Sequence, residues 1–172
     1  CINLTSVTIP EGITSIGKFA FDECKSLSSL TVPSSTSTIS DDAFSGSSLS
    51  SIKVDSNNTN YSSDTNGVLF NKNKTTLMRY PLNSSISSYT VPSTVKTISG
   101  KAFDSSRNLE SLTLGSDVTS IKDGAFSDCT ELSGITVAEG NKYYSSDKTG
   151  VLFNANKTTL IKYPSANTAK TY

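Results

Sequence analysis

Apolar residues recur along this chain at a spacing of 22 or 23 residues. From Leu27 the sequence reads Leu-Ser-Ser-Leu-Thr-Val-Pro and runs on to Ile39, Ala43 and Phe44. The same positions upstream are Leu4, Val7, Ile9, Ile13, Ile16, Ala20 and Phe21, with Cys24 closing the unit. Downstream they are Leu109, Leu112, Leu114, Val118, Ile121, Ala125, Phe126 and Cys129. A fixed period in this range predicts a solenoid, one coil per unit. In Ser29-Leu30-Thr31-Val32, strand alternation sends Leu30 and Val32 into the coil and Ser29 and Thr31 out of it. Pro10, Pro33 and Pro92 follow this stretch and end the ladder, because proline offers no N–H. The pairs Ile13/Ile16 and Val118/Ile121 predict a second short strand or extended corner. The Ala-Phe step predicts a helical or 3₁₀ turn, with Phe21, Phe44, Phe103 and Phe126 stacked in a ladder.

Two units depart from the pattern in the same way. After Leu49, Ile52 and Val54, residues 55–85 form an insertion. Within it Gly67-Val-Leu-Phe70 and Thr76-Leu-Met-Arg-Tyr80 flank the polar run 71–75, which predicts a β-hairpin. After Leu132, Ile135 and Val137 the insertion recurs over 138–168 at an offset of 83, matching Tyr61 to Tyr144, Asp64 to Asp147 and Gly67 to Gly150. The plain pattern resumes between them at Ile86 and Tyr89. The chain therefore reads as one domain over 1–172, built from blocks 4–85 and 86–168. Cys1 aligns with Cys24, and Tyr172 with Tyr89, so the expectation is a piece of a longer array.

Composition sharpens this picture by what it excludes. Leu, Ile, Val and Phe together number 40 of 172 residues, while Ser and Thr number 33 and 22. That is thin for a globular core, but a solenoid reuses a narrow apolar strip in every coil. The chain contains no His, which excludes a Ser-His-Asp triad within it. The formal net charge is +0, so a nucleic-acid partner is not expected. No apolar run is long enough to insert in a membrane as a helix.

The pattern Leu-x-x-Val-x-Ile-Pro-x-x-Ile-x-x-Ile-x-x-x-Ala-Phe-x-x-Cys, read from Leu4 to Cys24, resembles the BspA-type leucine-rich repeats, also called the Treponema pallidum type. The Gly-Val-Leu-Phe-Asn insertion is similar to one in bacterial members. The resemblance implies a right-handed leucine-rich-repeat solenoid, mainly β with short helical or 3₁₀ turns and two inserted β-hairpins. It implies a secreted or cell-surface location and a role in adhesion or protein binding. The expected partner is an extracellular protein or glycan, with no enzyme activity, no cofactor and a monomeric chain. A passive surface stalk is the alternative.

Two surfaces are candidates for the contact. One is the outward strand face, with Ser29, Thr31, Thr90 and Thr113 as its representatives, read as a ladder running down a continuous sheet. The other is the hairpin pair, read as basic, aromatic-bearing protrusions that carry Lys72, Lys74, Arg79 and Tyr80, then Lys157, Lys162 and Tyr163. Against the hairpin reading stands a plainer one, in which Val68, Phe70 and Leu77 dock each hairpin on the solenoid flank. The three cysteines share one repeat position several coils apart, so they are read as small buried apolar residues, with Cys1 the reactive thiol. Asp64 and Asp147 lack the ligand spacing of a calcium loop and are read as turn residues.

Overall fold

Alternating burial in the Leu-x-Val stretches builds the first wall of the solenoid. The computed structural model describes residues 1–169; Tyr172 lies outside them. Its strands in chain order are β1 (Ser15–Ile16), β2 (Ser29–Val32), β3 (Thr38–Ile39), β4 (Ser51–Val54), β5 (Tyr61–Ser63), β6 (Leu69–Asn71), β7 (Thr76–Arg79) and β8 (Ser88–Thr90). They continue as β9 (Thr97–Ile98), β10 (Ser111–Leu114), β11 (Ser120–Ile121), β12 (Gly134–Val137), β13 (Tyr144–Ser146), β14 (Leu152–Asn154) and β15 (Leu160–Lys162). In β2, Leu30 and Val32 are buried and Ser29 and Thr31 exposed, as alternation requires. The wall strands pair in parallel and in register, β2 with β4, and β10 with both β8 and β12. Ile16 and its counterparts Ile39, Ile98 and Ile121 lie in the second wall, where β1 pairs with β3 and β9 with β11, all parallel, while Ile13 and Val118 lie outside these strands.

The Ala-Phe segment is not helical. Among the described residues no helix is present, and the reason is where the N–H groups go. Those of Ala20, Asp22 and Cys24 bond back three residues within their own coil, to Gly17, Phe19 and Phe21. The alternate ones, of Phe19, Phe21 and Glu23, bond across to the carbonyls of Asp42, Ala43 and Ser45 in the next coil. A helix would keep all of them. Sharing them requires residues in the left-handed region, and Phe19 (φ 60°), Glu23 (φ 53°), Ser105 (φ 58°) and Asp128 (φ 51°) lie there.

Each insertion is a three-stranded antiparallel meander, and the first does not protrude. β5 pairs with β6 and β6 with β7, then β7 pairs in parallel with β9. The meander thus takes a place in the stack, as a coil would. Its two faces are both buried. Tyr61, Leu69 and Met78 face an apolar cluster that includes Leu30, Ile39, Phe44 and Ile52. Phe70, Leu77 and Tyr80 face a second cluster running from Tyr89 through Phe103 to Leu152. The predicted ladder of rings is present in part, as two stacked pairs, Phe21 and Phe44 5.9 Å apart and Phe103 and Phe126 5.7 Å apart. Tyr80, which the sequence reading assigned to a partner, extends the second pair inside the core, 5.5 Å from Phe103.

The insertion also divides the strand face. β2–β4 and β8–β10–β12 are separate sheets, so the expected continuous ladder is two shorter ones. The cause is the turn at Gly67, whose carbonyl accepts from Ile52 N–H at 3.0 Å. Gly67 has φ +73°, and a Cβ there would stand 2.5 Å from Cβ of Ser51. Only glycine fits such a site.

Phe103, fully buried between Tyr80 and Phe126, tests this packing. Phe103→Ala should lower unfolding free energy by about 3–5 kcal/mol, read from the denaturant midpoint at unchanged m-value.

Candidate interaction surface

Solvent access separates the candidate residues. On the strand face, Ser29, Thr31, Ser88, Thr90 and Thr136 are exposed and Thr113 is half-buried. Thr90, Thr113 and Thr136 lie directly side by side in register, as do Ser88, Ser111 and Gly134. On the first sheet Thr31 lies beside Lys53. This gives two hydroxyl-bearing patches, one on each sheet.

The hairpin residues are mostly occupied inside the molecule. Arg79 is 2% exposed. Its Nη1 donates to the carbonyl of Lys101, and its Nη2 lies 3.8 Å from Asp104 Oδ2. Burial pulls its pKa down to about 10, with Asp104 opposing that shift. Lys101 adds a second contact to Asp104 at 3.2 Å. Tyr80 is 1% exposed, and its hydroxyl donates to Ile86 O at 2.9 Å. Arg79 and Tyr80 therefore have no surface to offer a partner, and the sequence reading is corrected there. The alternation Thr76-Leu77-Met78-Arg79 cannot reveal this, because β7 is covered on both faces. Lys72 is exposed along its length, but its Nζ donates to the carbonyls of Asn58 and Ser56. Lys74 Nζ stands 5.8 Å from the centre of the Phe70 ring. Lys157 is exposed, and Lys162 and Tyr163 are half-buried. Val68, Phe70 and Leu77 are fully buried, in keeping with the plainer reading for the first hairpin; in the second, Val151 and Phe153 are buried but Leu160, the counterpart of Leu77, is exposed.

Four residues organise the insertions without having been singled out for it. Asn58, fully buried, donates from Nδ2 to Pro33 O at 2.7 Å and Thr36 O at 2.9 Å. Its Oδ1 accepts from the N–H groups of Asn60 and Tyr61. Asn141 repeats all four bonds, to Gly115, Val118, Tyr143 and Tyr144. Tyr61 Oη accepts from Ile39 N–H at 2.9 Å and donates to Ser37 O at 3.2 Å. A phenol thereby continues the β3 ladder where no strand follows, and Tyr144 does the same for Ile121. The signal in the sequence was the repeated Asn-x-x-Tyr. Asp64 acts as a turn residue: Oδ1 accepts from Asn66 and Val68 N–H, and Oδ2 accepts from the Tyr89 hydroxyl. Cys24 and Cys129 are buried and unbridged and Cys1 is exposed, as expected. Burial pushes the Cys129 thiol up to about 11.

A family model for BspA type leucine rich repeat regions matches residues 1–75 and 60–169, in six copies. The chain belongs to this BspA-type family. Among solved structures it is similar to a leucine-rich repeat protein from Eubacterium ventriosum, 32% identical over 76% of this chain and 41% of that one, with a TM-score of 0.67. The pneumococcal vaccine antigen PcpA is 30% identical over 72% of this chain and 30% of its own, at 0.66. A leucine rich cell surface protein from Faecalibacterium prausnitzii is 30% identical over 74% and 40%, at 0.59. This BspA-type chain thus spans less than half the length of each. No protein with a curated function matches it.

Tyr61→Phe leaves Ile39 N–H buried with no acceptor from the ring. It should cost about 1–3 kcal/mol and speed hydrogen exchange at Ile39 selectively, both measurable by NMR. A maleimide at neutral pH should label one thiol per folded chain, Cys1, and three on unfolding.

Proposed function

We propose that this chain acts as a secreted or cell-surface repeat scaffold that binds an extracellular protein or glycan, making contact through the strand face. The observation that carries the reading is the register of β8, β10 and β12. It sets Thr90, Thr113 and Thr136 side by side on one wall, with Thr90 and Thr136 exposed and Thr113 half-buried. Their hydroxyls can donate and accept, and the backbone beneath them is rigidly laddered. The names of two similar structures, a vaccine antigen and a cell surface protein, support the surface location. The BspA-type family is one of repeat scaffolds, which fits binding rather than catalysis. The partner touches one side of the solenoid, and the chain works as a monomer within an array of such blocks. A passive stalk is the second reading, favoured by one observation: the first insertion is buried as a layer of the stack and adds length rather than relief.

The test is binding of the chain to immobilised extracellular-matrix proteins and a glycan array, with and without Thr90→Glu, Thr113→Glu and Thr136→Glu together. Circular dichroism checks the fold. The binding reading expects at least a tenfold loss of affinity in the triple variant. Unchanged binding removes the strand face from the contact, and no binding by either form supports the stalk.

A further inference from the structure

The coil of residues 86–108 seats on the first meander through both backbone and side chains. The N–H groups of Lys96 and Thr97 donate to Thr75 O at 2.8 and 3.1 Å, and that of Ser99 to Leu77 O at 3.0 Å. Tyr80 N–H returns a bond to Ala102 O at 2.7 Å. Leu77 and Phe103 are fully buried in this contact, and Arg79 reaches across it to Asp104.

Both halves of this contact occur a second time, apart from each other. The second meander is one half: Leu160, Lys162 and Tyr163 stand where the first has Leu77, Arg79 and Tyr80. The coil of residues 4–26 is the other. It aligns with 86–108 without a gap, Leu4-Thr-Ser-Val-Thr-Ile-Pro against Ile86-Ser-Ser-Tyr-Thr-Val-Pro, and Ala20-Phe-Asp22 against Ala102-Phe-Asp104.

Each half is open where its counterpart is covered. β7 lies between β6 and β9, whereas β15 pairs only with β14 among the described residues. β9 lies between β7 and β11, whereas β1 pairs only with β3, on the edge that β9 gives to β11. Leu160 is 55% exposed where Leu77 is 0%, and Ile13 is 39% exposed where Val95 is 0%. Ile13, Phe19 and Leu160 are three of the five large apolar residues exposed among the described ones. The charges match as well, because Lys162 and Asp22 keep the signs of Arg79 and Asp104. One bond has no counterpart: Val7 stands in place of Tyr89, whose hydroxyl donates to Asp64.

We propose that the second meander of one copy receives the coil 4–26 of another copy, β15 against β1, as β7 receives β9. The contact inside the chain supplies its register. The N–H groups of Thr14 and Ser15 donate to Thr158 O of the other copy, and that of Gly17 to Leu160 O. Lys162 meets Asp22, and Leu160 is covered. The contact joins two different faces, so each added copy leaves one of each kind open and the assembly grows as an open row. Joining follows concentration. The dilute chain is the monomer of the strand-face reading, and crowded copies form rows that offer many strand faces to one partner surface. The contact is separate from the strand face and does not rest on that reading.

The test is sedimentation equilibrium, with reductant present so that Cys1 forms no bridge between copies. The mean mass should rise from that of one chain at about 10 µM to at least twice that at about 1 mM. Ile13→Lys/Asp22→Lys blocks the coil face, and Leu160→Lys blocks the meander face. Each variant alone should stay monomeric at the higher concentration. Mixed in equal amounts they should form a dimer and nothing larger, since each keeps the face that the other lacks. Circular dichroism checks the fold, and Asp22→Lys alone replaces the double variant if that one unfolds. A single-chain mass for the unaltered protein at the higher concentration overturns the proposal. So does a dimer of either variant alone, because like faces then meet, and so does a mixture that stays monomeric. The strand-face triple variant should associate as the unaltered chain does. Loss of association there moves the contact to the strand face and overturns the proposal, whereas failure of the row by any other outcome leaves the strand-face reading untouched.

Discussion

A coil of 22 or 23 residues cannot satisfy its own backbone. It runs round the stack once, so its strands find no partner within the coil, and each N–H left without an acceptor would be costly once buried. Every wall of this molecule is a way of handing those groups to the next coil. The strand walls do it by parallel pairing. The Ala-Phe segment does it by alternation, one N–H kept within the coil and the next one given away. That division explains why left-handed residues recur there, and why the segment is not a helix despite its composition.

The insertions obey the same constraint with different groups. Where a strand would have received Ile39 N–H, the Tyr61 phenol does. Where a strand would have received Ile52 N–H, the Gly67 carbonyl does. Tyr80 supplies the ring that extends the second phenylalanine pair. The first meander is therefore a coil rebuilt from side-chain and turn substitutes. It separates the apolar interior into two clusters, one on each face, and the buried Arg79–Asp104 contact crosses from the meander to the following coil.

Much of this was legible in the sequence. Leu30, Val32, Ile13 and Ile16 follow periods that only a repeated coil satisfies, and the hairpin strands follow from Gly67-Val-Leu-Phe70 and Thr76-Leu-Met-Arg79. Whether those strands stand out or lie in was not legible from alternation, because Leu69 and Phe70 are apolar on both sides. A continuous apolar run is itself the mark of two-sided burial, and it pointed the right way. Arg79 misleads for the same reason: a charge at a strand end reads as surface, and its partner Asp104 comes from the next coil. The roles of Asn58 and Tyr61 depend on carbonyls and amides more than 20 residues away, so only their recurrence as Asn141 and Tyr144 hinted at them.

The direction of the inter-coil bonds has a mechanical meaning. They run along the stacking axis, and the chain visits the coils one after another. Tension applied between the two ends therefore loads these bonds in series and peels the molecule coil by coil, instead of shearing many bonds at once. Resistance then varies along the thread: the laddered walls hold through several strands in register, while the β3 edge is held by a phenol and a few apolar side chains. Such a thread yields a coil at a time and keeps its remaining coils folded.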